Sequence, residues 1–356
     1  VSRNQITENA KERIIKSRPP LLVEKEKANL ITIGNIDDDF KEVEQADWVV
    51  EAVVERIDIK HKIYSKIQRA RKPESIISSN TSTIPLKILS ENMSDDMKKN
   101  FCITHFFNPV RYMALLEIVT EPINDVEKIN SLKAFCDQQL GKGVIICNDT
   151  PGFIGNRIGV MCGIKSSQLT EKYKFKIEEV DLMTGSVIGL PNSGTFRLQD
   201  LVGLDTSHNV TNFLVNNVKN DTFYSKLKDE GENKSFNFLI ENKFFGNKSG
   251  KGYYEKTKEK DENGRSVIKA LDLDSNTYRK SIKPSIPEVR EAKSIELFDR
   301  RLKFLVEGDS NVSKFYREYF SSLLSYSAMS IPEIADDFYQ IDDAIRTGYA
   351  WSYGPF

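Results

Sequence analysis

Apolar residues along the chain follow two rhythms. In the first third they gather in short runs rich in β-branched residues, at 46–54, 75–79, 101–105, 115–119 and 144–147. Each run has the length of a buried strand. Helical periodicity fills several gaps between them, notably 58–71 and 126–140. Strands alternating with helices predict a largely parallel α/β sheet. The first 30 residues read as a charged amphipathic helical stretch broken at Pro19-Pro20. After Pro151 the rhythm turns helical, over 153–173, 177–188 and 195–216, and no strand is expected before 252–254. Residues 255–290 read as polar and irregular, with EKTKEKDENGR as a solvated turn and SIKPSIPE as a connector. Helical patterning returns over 292–306, 311–329 and 342–348.

This pattern divides the chain into an α/β domain over 1–148, a helical domain over 149–255, a linker over 256–290 and a further helical segment over 291–356. The stretch IEEVDLMTG…GLPNSGTF at 177–196 resembles YQIDDAIRTGYAWSYGPF at 339–356, as either a duplicated helical unit or chance would produce. The first recognisable strand follows some 45 residues of helix and loop, and the last pattern stops mid-repeat. The chain therefore reads as an internal fragment whose sheet has lost its first strands.

Composition adds little beyond exclusions. The 356 residues, 39% hydrophobic and 29% charged, suit a globular protein. A net charge of -1 offers no global field for nucleic acid. No apolar run approaches the ~20 residues of a membrane span, and the N-terminus has no apolar signal region. Cys102, Cys136, Cys147 and Cys162 fit no zinc spacing and read as buried, reduced thiols of a cytoplasmic protein.

Three histidines are available for proton transfer near neutral pH. His61 lies in a charged helical run and reads as solvated, and His208 reads as structural. His105 ends the apolar strand FCITH, and ligands gather at the carboxyl ends of strands in such sheets. Glu117 lies inside LLEIV, where an unpaired carboxylate is costly to bury. If the two strands are neighbours, Glu117 accepts the imidazole N–H of His105 and raises the basicity of the other ring nitrogen. The alternative is a Glu facing solvent from an edge strand. SSNTST at 78–83 either caps a helix or offers hydroxyls to a polar ligand. GNKSGKGYY at 246–254 fails the P-loop spacing, and no G-x-G-x-x-G occurs.

Taken together, DWVVEAVVE (47–55), SSNTST (78–83), HFFNPVRYMALLEIV (105–119), GKGV (141–144), DTPGFIGNRI (149–158) and KSGKGYY (248–254) resemble the NAD-dependent 3-hydroxyacyl-CoA dehydrogenase family. The wording is similar to a bacterial branch with a second helical repeat and a fused enoyl-CoA hydratase. The resemblance implies an N-terminally truncated Rossmann-type sheet, an all-α C-terminal domain and a partial second helical repeat. It implies that His105 takes the 3-hydroxyl proton, that Glu117 orients His105, and that Asn156 and Ser82 hold the substrate oxygens. Glu55, Lys60, Ser82 and Lys248 match positions lining the NAD site, the two lysines as exposed point charges. It implies an acyl-CoA substrate and leaves room for a homo-oligomer. The family's Gly-rich first turn, which holds pyrophosphate, does not occur in this chain. Two other readings stand beside it: a related Rossmann dehydrogenase of a non-CoA hydroxy acid, and a catalytically incompetent assembly module.

Overall fold

The computed structural model describes residues 2–231 and 233–356. The chain divides into two compact units, Val1–Val144 and Ile145–Phe356.

In the first unit α1 (Gln5–Lys16) buries none of its residues and is followed by irregular chain with two short 3-10 turns. The sheet starts at β1 (Trp48–Glu51). It continues with α2 (Ile57–Ala70), β2 (Ile76–Ser79), the short helices α3 (Leu86–Leu89) and α4 (Asp95–Lys99), β3 (Phe101–Phe106), β4 (Leu115–Val119), α5 (Val126–Gln138) and β5 (Gly143–Cys147). The strands lie in the order β1-β2-β3-β4-β5. The division between the units falls inside β5 rather than after residue 148.

The expectation of a parallel sheet needs one correction. β1, β2 and β3 run parallel, but β4 turns back antiparallel to β3. The connection from β3 to β4 carries no crossover helix, so the two strands pair as neighbours of opposite direction. Register and alternation sort the side chains. Glu51 pairs with Ser79, Ser79 with Ile103, and His105 lies two residues further along β3. With a period of two, Glu51, Ser79 and His105 share one face. Trp48, Ser78 and Thr104 occupy the other, joined through the Ser78 hydroxyl. Tyr64 and Ile67 of α2 are buried, and the Tyr64 ring meets Phe101 edge-on at 5.2 Å.

The second unit begins with α6 (Gly155–Tyr173), α7 (Ile177–Met183), α8 (Phe196–Val202), α9 (Leu204–Asn217), α10 (Thr222–Glu230) and α11 (Lys234–Glu241). Gly203, at φ 100, breaks the helix expected over 195–216 into α8 and α9. The expected linker is the larger correction. Residues 254–280 form an antiparallel three-stranded sheet, β6 (Tyr254–Lys260), β7 (Ser266–Asp272) and β8 (Thr277–Lys280). DENG is the hairpin turn, where the Asp261 carboxylate accepts the N–H groups of Asn263 and Arg265. The chain then forms α12 (Pro287–Ser294), α13 (Phe298–Glu307), α14 (Asn311–Met329) and α15 (Phe338–Tyr349). α6 packs along α14 and α15, so 149–255 and 291–356 share one core rather than standing as separate domains. The four cysteines are free and buried. Among the described residues no helix is long and apolar enough to cross a membrane.

Candidate functional site

His105 and Glu117 face each other across β3 and β4 as direct register partners. The His105 Nδ1 lies 2.7 Å from Glu117 Oε2. Glu117 has no exposed surface and His105 is 8% exposed. A carboxylate at Nδ1 accepts the N–H there, which places the imidazole lone pair on Nε2. The solvent-facing alternative for Glu117 is thereby excluded. The loop after His105 is itself held: Phe107 meets the imidazole edge-on at 5.0 Å, and Lys142 Nζ donates to the carbonyls of Met113 (2.8 Å) and Val110.

On the same face, where β1 and β2 end, stands a buried polar network. Glu51 is its hub: it accepts bonds from Lys60 Nζ at 2.9 and 3.0 Å, Tyr64 Oη at 2.6 Å, Ser79 Oγ at 2.7 Å and the Val53 N–H at 2.6 Å. Four donors making five hydrogen bonds to one carboxylate offset the cost of burying it. Burial and the nearby Glu51 charge hold the Tyr64 phenol well above its ordinary value. Lys60 is only 1% exposed and also pairs with Glu55 Oε2 at 3.1 Å. It is not the exposed point charge expected: the apolar face of α2 draws its stem inward and two carboxylates fix its head.

Glu55 sits at the rim of this network, its side chain 39% exposed. The Thr81 hydroxyl and, at 2.7 Å, that of Thr83 donate to it. Burial pushes its carboxyl up, but those hydroxyls and Lys60 outweigh burial and hold it below the usual value. Glu55 is therefore an ionised acceptor. Ser82 lies between the two threonines, half-buried, in the loop after β2.

Asn156 and Lys248 belong to the second unit. Asn156 stands in the first turn of α6 and lines a cavity of about 730 Å³. Lys248 lies in a 3-10 turn and pairs with Asp205. That turn is held by Asp200, whose carboxylate accepts the N–H groups of Tyr253 and Tyr254 at 2.8 Å each. A Cβ at Gly252 would lie 2.1 Å from Asp200 Oδ1, so the glycine makes that approach possible. His61 touches the Ile88 carbonyl at 2.9 Å and His208 touches Asn212.

Sequence reasoning missed Glu51 and Tyr64, and it saw Thr81 and Thr83 only as part of the hydroxyl cluster at 78–83, not as donors to Glu55. Glu51 carried the signal that exposed Glu117, a carboxylate inside an apolar run (DWVVEAVV). Tyr64 carries none on its own, because its partner Glu51 lies on β1, 13 residues earlier.

The comparisons agree with the geometry. The family described as "3-hydroxyacyl-CoA dehydrogenase, NAD binding domain" matches residues 2–150, and its "C-terminal domain" matches 152–256. A "Probable 3-hydroxyacyl-CoA dehydrogenase" of Bacillus subtilis is 36% identical over 99% of this chain and 44% of its own length. One of Deinococcus radiodurans is 38% identical over 77% of each chain. The crystal structure of FadB2 from M. tuberculosis superposes with a TM-score of 0.59 at 26% identity, covering 72% of this chain and 85% of that one. The chain thus spans less than half of the first relative. The two family domains together match residues 2–150 and 152–256, and the chain belongs to the 3-hydroxyacyl-CoA dehydrogenase family.

Proposed function

We propose that this chain serves the NAD-dependent oxidation of 3-hydroxyacyl-CoA to 3-oxoacyl-CoA in fatty acid oxidation. The observation that carries the reading is the 2.7 Å contact between His105 Nδ1 and the fully buried Glu117. His105 accepts the 3-hydroxyl proton at Nε2. Glu117 fixes the tautomer and balances the imidazolium that forms. Ser82 and Asn156 hydrogen-bond the substrate oxygens, and the ketone forms as the C3–H bond gives up its electron pair. Bound NAD supplies the hydride acceptor.

The residues present fit part of that cofactor. The ionised Glu55 suits a ribose hydroxyl, with Lys60 acting through Glu55 and Glu51, and Lys248 adds a half-exposed cation in the second unit. The Gly-rich turn that cradles pyrophosphate is not among these 356 residues. The fused hydratase and the second helical repeat rest on the resemblance of the sequence to the bacterial branch. The test is NADH consumption by the whole protein with acetoacetyl-CoA against free 3-oxo acids. Turnover of the thioester alone supports the reading, and turnover of the free acids alone replaces it with a non-CoA dehydrogenase.

A further inference from the structure

We infer that the cavity beside Asn156 receives the acyl tail of the substrate, and that Tyr349 and Trp351 at the end of α15 form the wall that selects it. The inference rests on the dehydrogenase reading, which puts a substrate oxygen at Asn156. The cavity, about 730 Å³, has the size of a small-molecule site. From Asn156 it follows α6 past Gly159, Gly163 and Ser167. Those positions recur every three or four residues and so line one face. At 1.5 Å per residue that face runs roughly 16 Å, far beyond the reach of a four-carbon acyl group. Leu198 and Val202 of α8 add apolar lining.

The aromatic wall is built, not incidental. The Tyr349 hydroxyl donates to the Gly155 carbonyl at 3.0 Å, one residue before Asn156. A Cβ on Gly159 would stand 1.9 Å from that hydroxyl oxygen, so the ring fits only because residue 159 is glycine. Ala350 takes the left-handed conformation (φ 54) and turns the chain, and Trp351 lines the same cavity. The Ser352 N–H then donates to the Gly189 carbonyl at 2.8 Å, beside the Leu190-Pro191 segment that also lines it. The strap 349–352 is thus fastened at both ends across the cavity, with two aromatic rings available to a hydrocarbon chain. Glu171, Lys174 and Asp274 border the cavity as well and mark where an apolar tail stops.

The test compares kcat/KM of the whole protein for four-carbon and sixteen-carbon 3-hydroxyacyl-CoA. Gly163→Leu fills the channel, and a Cβ there meets only Gln199 Nε2 at 3.9 Å, so the backbone accepts it. Trp351→Ala removes the wall. Each is expected to lower the sixteen-carbon value about tenfold more than the four-carbon value. An equal change for both lengths, or none, overturns the inference. If either variant folds poorly, the unaltered protein answers. Within these 356 residues the tryptophans are Trp48 and Trp351, and the part of the emission that Trp351→Phe removes should shift with a sixteen-carbon thioester but not with a four-carbon one. Identical responses count against the inference. Absence of turnover at both chain lengths in the unaltered protein would instead sink the dehydrogenase reading, while the emission still reports on the tail.

Discussion

A carboxylate with no exposed surface needs a donor, and Glu117 has His105. The pair was legible in the sequence because a Glu inside LLEIV breaks an apolar run. Its geometry was not, since only the antiparallel turn of β4 sets residue 117 opposite residue 105. In the whole protein His105→Gln should cut turnover by about 10²–10⁴-fold, the worth of a positioned general base. NADH affinity should change little, because the imidazole addresses the substrate. Near-normal turnover in a stopped-flow assay would remove His105 from the role. Lys60 invites a different experiment. With Lys60 1% and Glu51 3% exposed, Lys60→Met strands a buried charge and should destabilise the first unit by about 3–5 kcal/mol. Adding Glu51→Gln should restore much of that in urea unfolding. A double variant no more stable than the single one would show that Glu51 is not the group left uncompensated.

Among the elements, those with clean periodicity were readable. β4 and α14 fall where the apolar pattern ends them, at Leu115–Val119 and Asn311–Met329. The sheet β6–β8 was not readable. Charged residues occupy both faces of β6, so alternation is masked, and the burial of Tyr254 and of the consecutive Ala270 and Leu271 is set by packing that no local window contains. α10 and α11 escaped for a related reason: their starts are marked by Asp221 and Asn233 as side-chain caps, in a stretch otherwise rich in charge. Asp200 on α8 links this sheet to the helices, and its stability carries a pH signature. Burial pushes its carboxyl up to about 6, against the two N–H groups that favour ionisation. A carboxyl with a raised folded value binds its proton more tightly folded than unfolded. Its contribution to stability therefore falls as pH rises from about 4 to about 6 and then levels. Asp200→Asn escapes that loss, so its penalty should shrink between pH 4 and pH 7. Melting temperatures of both proteins across that range check this, and a penalty that grows with pH contradicts it.

At the scale of the whole second unit, one side chain ties distant parts of the chain together. Arg157 has no exposed surface. Its guanidinium donates to Tyr326 Oη at 2.7 Å, Asp221 at 2.9 Å and Glu333 at 3.1 and 3.2 Å, and the Tyr326 hydroxyl donates to Asp221 in turn. Arg157→Met leaves Asp221 buried without its cation and should cost about 3–5 kcal/mol. Calorimetry should place that loss in the transition of the second unit. A loss below about 1 kcal/mol would mean that water reaches Asp221. The same knot bears on how the protein is made. Glu333 is synthesised 176 residues after Arg157. At ~5–20 residues per second, that is on the order of ten to thirty seconds of translation. Asp221 follows Arg157 by 64 residues, Tyr326 by 169 and Glu333 by 176, so the guanidinium gains its partners one after another and the knot closes only near the end of that interval. Until α14 and α15 are made, the side of α6 that they cover has no partner from this chain, so the core of the second unit completes only once its last helices are synthesised.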